Sequence, residues 1–282
     1  MTYVQPEQVV KNMVQAGAAK SKLPIRDLVI RGALAGALLG FGTTLAFTAE
    51  TQTQMGIVGA LLFPACFVII ILLGLELVTG NFALIPLAVL EKKATWQGML
   101  TNWFWVIVGH VIGGSFYAML YVVAATHLGQ VTDHAVAQKI IQVAEAKTLG
   151  YSALGTTGLL IVFVKGILCN WMVALGAVMA MTSQATLGKI VAMWLPILLF
   201  FAQGFEHAVV NMFVIPAGMM LGADITLSHW WLWNQIPVLL GNLVGGLLFT
   251  GLALYVTYRS QEVNKGKEQV KNNKGKRERM VS

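Results

Sequence analysis

Six long apolar stretches punctuate the chain, near Leu28 to Ala49, Gly56 to Leu90, Trp103 to Ala125, Thr157 to Met181, Ile190 to Leu221 and Ile236 to Tyr258. Each reaches the roughly 20 residues that a helix needs to cross a bilayer, so the pattern predicts an all-α polytopic membrane protein with six spans. The second and fifth stretches are too long for single straight helices. Both carry glycine near the middle followed by a polar motif, GLELVTGNFALIP from Gly74 to Pro86 and GFEHAVVNMFVIP from Gly204 to Pro216. A span interrupted in this way reads as a helix broken at membrane depth around a cavity.

The two motifs echo one another. An offset of 130 lays Glu76 on Glu206, Asn81 on Asn211, Ile85 on Ile215 and Pro86 on Pro216. The echo extends to TNWFWVIVGHVIGG, from Thr101 to Gly114, which matches WNQIPVLLGNLVGG, from Trp233 to Gly246, at an offset of 132. That alignment pairs Asn102 with Asn234, Gly109 with Gly241, and Gly113 and Gly114 with Gly245 and Gly246, while Arg31-Gly32 resembles Lys165-Gly166. Each half then holds three spans. An odd number per half forces opposite orientations, so the expected plan is two inverted three-helix repeats with a pore between them and with broken helices two and five. The repeated glycines suit close approach of packed helices.

Composition agrees with the spans and orients them. Hydrophobic residues make up 57% of the 282 and charged ones 11%, far below the quarter or so of a soluble domain, and the mean hydropathy is +0.72. Nothing before Leu28 has the basic start and small-residue cleavage site of a signal peptide, so the first span is expected to stay. Lys and Arg concentrate before the first span, in the loops after spans two and four, and beyond Tyr258, which places both termini in the cytoplasm. The expected organisation is a cytoplasmic segment at 1–27, a channel domain at 28–258 and a disordered basic tail at 259–282. The net charge of +7 comes chiefly from that tail, which fits anionic lipid better than nucleic acid. Cys66 and Cys169 lie inside apolar spans without metal-ligand spacing, and no paired histidines, cysteine cluster or nucleotide loop points to a cofactor, a metal or an enzyme.

Charged side chains at membrane depth cost about 2.5 to 3.5 kcal/mol on insertion scales, so the polar centres of the broken spans are the functional candidates. Half-helix N-termini suit anions, and His207 adds a proton donor whose ordinary pKa of about 6.5 lies near neutrality. A small weak-acid anion that shares a proton at His207 would cross an apolar constriction with less desolvation cost. Thr79 is placed to bond the imidazole, and Asn170 to orient it or the permeant. Glu76 and Glu206 read as scaffold, because a carboxylate can accept N–H groups freed by a helix break and a bare negative charge would repel anions. Leu77, Phe63, Phe67, Phe200 and Phe201 could form constrictions or simply pack. His110, aligned with Asn242, reads as a bond between helices or as a second titratable group. Lys165, at the outer end of the fourth span, could snorkel to the interface or concentrate anions at the entrance.

These motifs resemble the formate/nitrite transporters. GFEHAVVNMFVIP, KGILCNWMVALG from Lys165 to Gly176, and ELVTGN from Glu76 to Asn81 carry the likeness, which runs from about Pro6 to Arg259. The resemblance implies an aquaporin-like fold, a homopentamer with one pore per subunit around a lipid-plugged axis, and proton-linked or pH-gated passage of small monovalent anions across an inner membrane. By motif position it implies that His207 is the central histidine, Thr79 its partner and Asn170 a pore-facing asparagine. Leu77 and Phe200 correspond to inner and outer constrictions, Phe63 to an inner aromatic, and Lys147 to a vestibule lysine. The segment PEQVVKNMVQAGAAKSKLP fits a cytoplasmic amphipathic helix that packs under the pore. Two departures stand out: the stretch between Lys147 and Lys165 is longer than the family pattern, and His110 stands where asparagine is usual. Formate or nitrite is the expected permeant, with hydrosulfide, acetate and lactate as alternatives. A neutral-solute channel of the aquaporin kind is a reading of another class, although its paired Asn-Pro-Ala boxes are absent, and a membrane redox enzyme has no motif in its favour.

Overall fold

A computed structural model describes residues 3–258, which are helical apart from short connections. The basic tail expected at 259–282 lies outside the described residues. The first helix, α1 (Pro6–Lys20), starts on a proline whose missing N–H costs nothing at that position, and it buries Val9, Val10, Met13 and Val14. Gly17 on the same face lets α1 lie against the backbone of Leu84, where any Cβ would collide with a carbonyl.

Among the described residues, four helices are long and apolar enough to cross a membrane: Ile25–Thr53, Trp96–Ala125, Thr156–Thr182 and Leu227–Tyr258. The first two are α2 (Ile25–Thr53) and α6 (Trp96–Ala125). They pack tightly because Gly32, Gly36, Gly109 and Gly113 bring backbone against backbone. In the second half, α8 (Thr156–Met179) packs in the same way on α12 (Ile236–Val244) through Gly166 and Gly241. The α12 helix belongs to one continuous rod that opens with the short α11 (Leu227–Trp230) and contains two π-helical stretches, Trp231–Gln235 and Gly245–Leu252.

The second and fifth apolar stretches are broken where the motifs predict. In the second, α3 (Gly56–Leu62) and α4 (Pro64–Leu72) are followed by five non-helical residues and then by α5 (Val78–Leu90). In the fifth, α9 (Thr186–Ala202) gives way to α10 (Ala208–Met220) across the same kind of gap. Gly74 and Gly204 turn the chain at φ +63° and +64°, the left-handed region that an L side chain avoids. Both α5 and α10 are mostly apolar and buried nearly end to end, the pattern of a helix enclosed by others.

Two features escaped the hydropathy pattern. The third and sixth spans begin earlier than expected, at Trp96 and Leu227, because their first turns mix polar residues with tryptophan. Thr95 caps the former by accepting from Gly98 N–H at 3.0 Å, and Thr226 with His229 forms a capping box on the latter. The second is α7 (Ala135–Ala153), which is too polar to read as a span and packs over α8 and α10 instead.

Candidate functional site

The two half-helices bring their N-termini to a common polar centre. Leu77 precedes α5 and His207 precedes α10, both in extended conformation. The His207 Nδ1 accepts from Val210 N–H at 3.3 Å and so caps its own helix. With Nδ1 accepting, the neutral ring carries its proton on Nε2, which lies 3.2 Å from Thr79 Oγ1 and donates to it. This leaves the Thr79 hydroxyl proton free to donate elsewhere. Both residues are buried.

Aromatic rings cover the imidazole. Phe200 stacks on His207 at 5.7 Å between centroids, Phe63 meets Phe200 edge-on at 5.7 Å, and Phe201 lies flat on Phe63 at 4.0 Å. Leu77, Phe63, Phe67 and Phe200 are all buried, so the rings over the imidazole are themselves shielded from water. Asn170 reaches the same centre from α8. Its amide donates to the carbonyls of Thr79 at 3.0 Å and Asn242 at 2.6 Å, while its buried Oδ1 has no partner among the described residues.

Each glutamate sits in a circuit of donors, and the two circuits match. Glu76 accepts from Lys20 at 2.6 Å, Asn81 at 2.8 Å and Asn102 at 3.2 Å. Glu206 accepts from Lys147 at 2.8 Å, Asn211 at 2.8 Å and Asn234 at 3.4 Å, and in addition from the Tyr151 hydroxyl at 2.8 Å. Asn102 also holds the Lys20 carbonyl at 3.1 Å, just as Asn234 holds that of Lys147 at 2.9 Å. Buried carboxylates need this degree of pairing to remain ionised. The carboxylates do not bond the N–H groups freed by the breaks, contrary to the expectation from sequence. Those donors go elsewhere: Val78 N–H to His110 Nε2 at 3.1 Å, and Ala208 N–H to Asn242 Oδ1 at 2.9 Å.

His110 therefore bonds between helices, its Nδ1 donating to the Gly32 carbonyl at 2.8 Å. Lys147 is engaged with Glu206 and is not a free surface cation. Lys165 lies well inside α8 rather than at its outer end, because the helix starts at Thr156 and α7 covers its first turns. Its ammonium stands 5.8 Å from the centre of the Tyr151 ring. Lys139, Lys147 and Lys165 line one cavity of about 590 Å³ beside the second break, together with Glu206 and Gly204. A cavity of about 710 Å³ beside the first break is lined by Gln8, Asn12, Ile71, Ala177 and Lys189 among others. Sequence reasoning missed Lys20, Asn102, Asn234 and Tyr151 as members of the site. The repeat had already aligned the two asparagines, and a third offset, 127, which joins Lys20 to Lys147, was the remaining signal.

Apolar helices of membrane-crossing length, packed around two interrupted ones with a polar pair at their junction, define a multi-pass membrane transport protein. The chain belongs to the formate/nitrite transporter family, whose model matches residues 7–256. A probable formate transporter of Methanothermobacter thermautotrophicus is 34% identical over 273 residues, covering 91% of this chain and 98% of its own. Among solved structures, an ion channel of the same family superposes with a TM-score of 0.72 at 26% identity over 89% of this chain and 98% of that one. A pentameric formate channel with formate bound gives 0.66 at 23% identity over 83% and 97%, a likeness of fold.

Proposed function

We propose that the protein is a pH-dependent channel for small monovalent weak-acid anions, formate first among them, with Thr79 and His207 handling the proton. The observation that carries this reading is the hydrogen bond between those side chains, held at the junction of two half-helix N-termini and enclosed by Phe63, Phe200 and Leu77. In this reading His207 donates through Nε2 to Thr79, and the Thr79 hydroxyl donates to the permeant. The N–H groups of Thr79 and Gly80 find no acceptor among the described residues, so the first break presents further donors to an anion. A proton drawn from water travels with the anion, so the species at the constriction is neutral or shared and the desolvation cost falls.

The supporting architecture is six crossings in two inverted repeats, with 28–258 as the channel body and 1–27 as a cytoplasmic segment. Both termini lie in the cytoplasm of an inner membrane, and five copies assemble. Matched circuits around Glu76 and Glu206 support the repeat, and the formate-bound pentamer among the structural neighbours supports the assembly and the permeant. Glu76 and Glu206 act as scaffold, with Asn170 positioning the Thr79 backbone. Lys165 gives the outer vestibule a positive charge that raises local anion concentration, and Lys147 lines the same vestibule while paired with Glu206.

Proteoliposome fluxes of formate, nitrite, hydrosulfide, acetate, lactate and glycerol at several pH values test the proposal. Formate flux should rise as pH falls, and His207→Ala should lower it about tenfold or more, equivalent to roughly 1.4 kcal/mol of barrier. Unchanged flux and pH dependence in His207→Ala would overturn the mechanism. Glycerol flux above that of every anion would overturn the substrate class.

A further inference from the structure

We propose that His110 is a positioning residue for the pore pair: as the neutral Nδ1–H tautomer it is a two-ended strut that fixes the start of α5, and with it Thr79. The inference rests on the reading of Thr79 and His207 given above. His110 is fully buried on α6 and uses both ring nitrogens, accepting from Val78 N–H at 3.1 Å and donating to the Gly32 carbonyl of α2 at 2.8 Å. Accepting from Val78 requires a bare Nε2, so the ring has no free site for a second proton while the strut is intact. Val78 is joined to Thr79 by one planar peptide, so fixing the Val78 N–H fixes the approach of the Thr79 side chain to His207.

The second half shows what the position is for. Asn242, the repeat partner of His110, accepts from Ala208 N–H at 2.9 Å and donates to the Gly166 carbonyl at 2.8 Å. Val78 and Ala208 correspond at the offset of 130, and each is the first residue of its half-helix. Imidazole and carboxamide thus perform one task, an acceptor for the half-helix and a donor for the facing helix. The titratable groups within electrostatic reach of His110 are Glu76, ion-paired with Lys20, and His207, bonded to Thr79. Neither occupies a nitrogen of His110. What distinguishes the strut from a second proton-handling group is therefore whether an amide can replace it without altering the response to pH.

Full-length His110→Asn and His110→Leu decide the matter by two readouts. Amide hydrogen exchange in detergent should leave segment 74–86 of His110→Asn as protected as in the parent. In His110→Leu the same segment should exchange roughly tenfold faster, with 204–216 unchanged. In proteoliposomes, His110→Asn should keep formate flux and its pH profile, while His110→Leu loses about tenfold in flux. A shifted pH profile in His110→Asn, or parental protection and flux in His110→Leu, would overturn the proposal. If His110→Leu does not insert, His110→Asn decides alone, since loss of protection at 74–86 in that variant also overturns it. Absence of anion flux in the parent would refute the proposed function, and hydrogen exchange would still judge the strut.

Discussion

Removing the Lys147 ammonium should destabilise the fold more than removing the Glu206 charge that it neutralises. The two side chains are unequally buried, with relative exposures of 17% for Lys147 and 2% for Glu206, and only the lysine can swing into the neighbouring cavity of about 590 Å³. Lys147→Met keeps the apolar stem and strands a carboxylate indoors with three neutral donors, from Tyr151, Asn211 and Asn234. Deleting one partner of a buried pair costs about 3 to 5 kcal/mol, and the surviving donors place this case near 3. Glu206→Gln loses less. Its amide oxygen can take the place of Oε2 toward Asn211 and Asn234, its NH2 can donate to a reversed Tyr151 hydroxyl, and Lys147 can reach water, a cost of about 1 to 2 kcal/mol. At roughly 2 to 4 °C per kcal/mol, the two melting temperatures should differ by about 5 °C. Cys66 and Cys169 are free and buried, so a thiol-reactive fluorescent dye reports unfolding of the detergent-solubilised protein without a label. Lys147→Met/Glu206→Gln should melt above Lys147→Met, because the stranded charge is gone. A Lys147→Met variant that melts at or above Glu206→Gln would refute the reasoning.

Gly204→Ala should cost only the strain of a left-handed alanine, about 1 to 2 kcal/mol, because φ is +64° and the space around a Cβ is open. The same dye assay checks it, and a drop far beyond about 8 °C would mean that the break is packed more tightly than described. Gly246→Ala should act on transport as well as stability, since its Cβ would press on the Asn170 amide, Phe82 and the Thr79 carbonyl, an overpacking cost of about 1 to 3 kcal/mol. Formate flux in proteoliposomes should fall more than melting temperature suggests, and unaltered flux would show that Asn170 and Thr79 accommodate the methyl group.

The parts of this molecule that were legible in the sequence are those whose physics is local. Apolar length marked the spans, the glycines and following polar residues marked both breaks, and the spacing of Glu76 from Asn81 and of Glu206 from Asn211 marked the repeat. The parts that were not legible depend on which helices meet. The carboxylates were expected to accept backbone donors, yet their partners arrive from α1 and α7, which carry Lys20 and Lys147 and are too polar to show in a hydropathy profile. Lys165 read as terminal, yet its neighbours Val164 and Ile167 are apolar and α8 begins nine residues earlier, at Thr156. His110 was ambiguous in sequence because a histidine aligned with an asparagine can mean either preserved hydrogen bonding or new titration. Its two bonds, to Val78 and Gly32, are of the kind an asparagine also makes.

The halves agree where they support and differ where the chemistry is proposed to occur. Lysine, glutamate and two asparagines recur in matching circuits, and each half-helix has its first N–H held from a neighbouring helix, by His110 or by Asn242. At the facing positions of the breaks the match ends. His207 corresponds to Leu77, and Thr79 to Val209, so one half contributes an imidazole and the other the hydroxyl that meets it. The difference also redistributes backbone donors. His207 spends its Nδ1 on Val210 N–H, whereas leucine can accept nothing, so among the described residues Val209 N–H finds no acceptor in the second break, and neither Thr79 nor Gly80 N–H finds one in the first. A scaffold repeated in both halves thus holds two unlike ends together, one with an imidazole and the other with a hydroxyl and backbone N–H donors. A weak-acid anion needs both of these in one place.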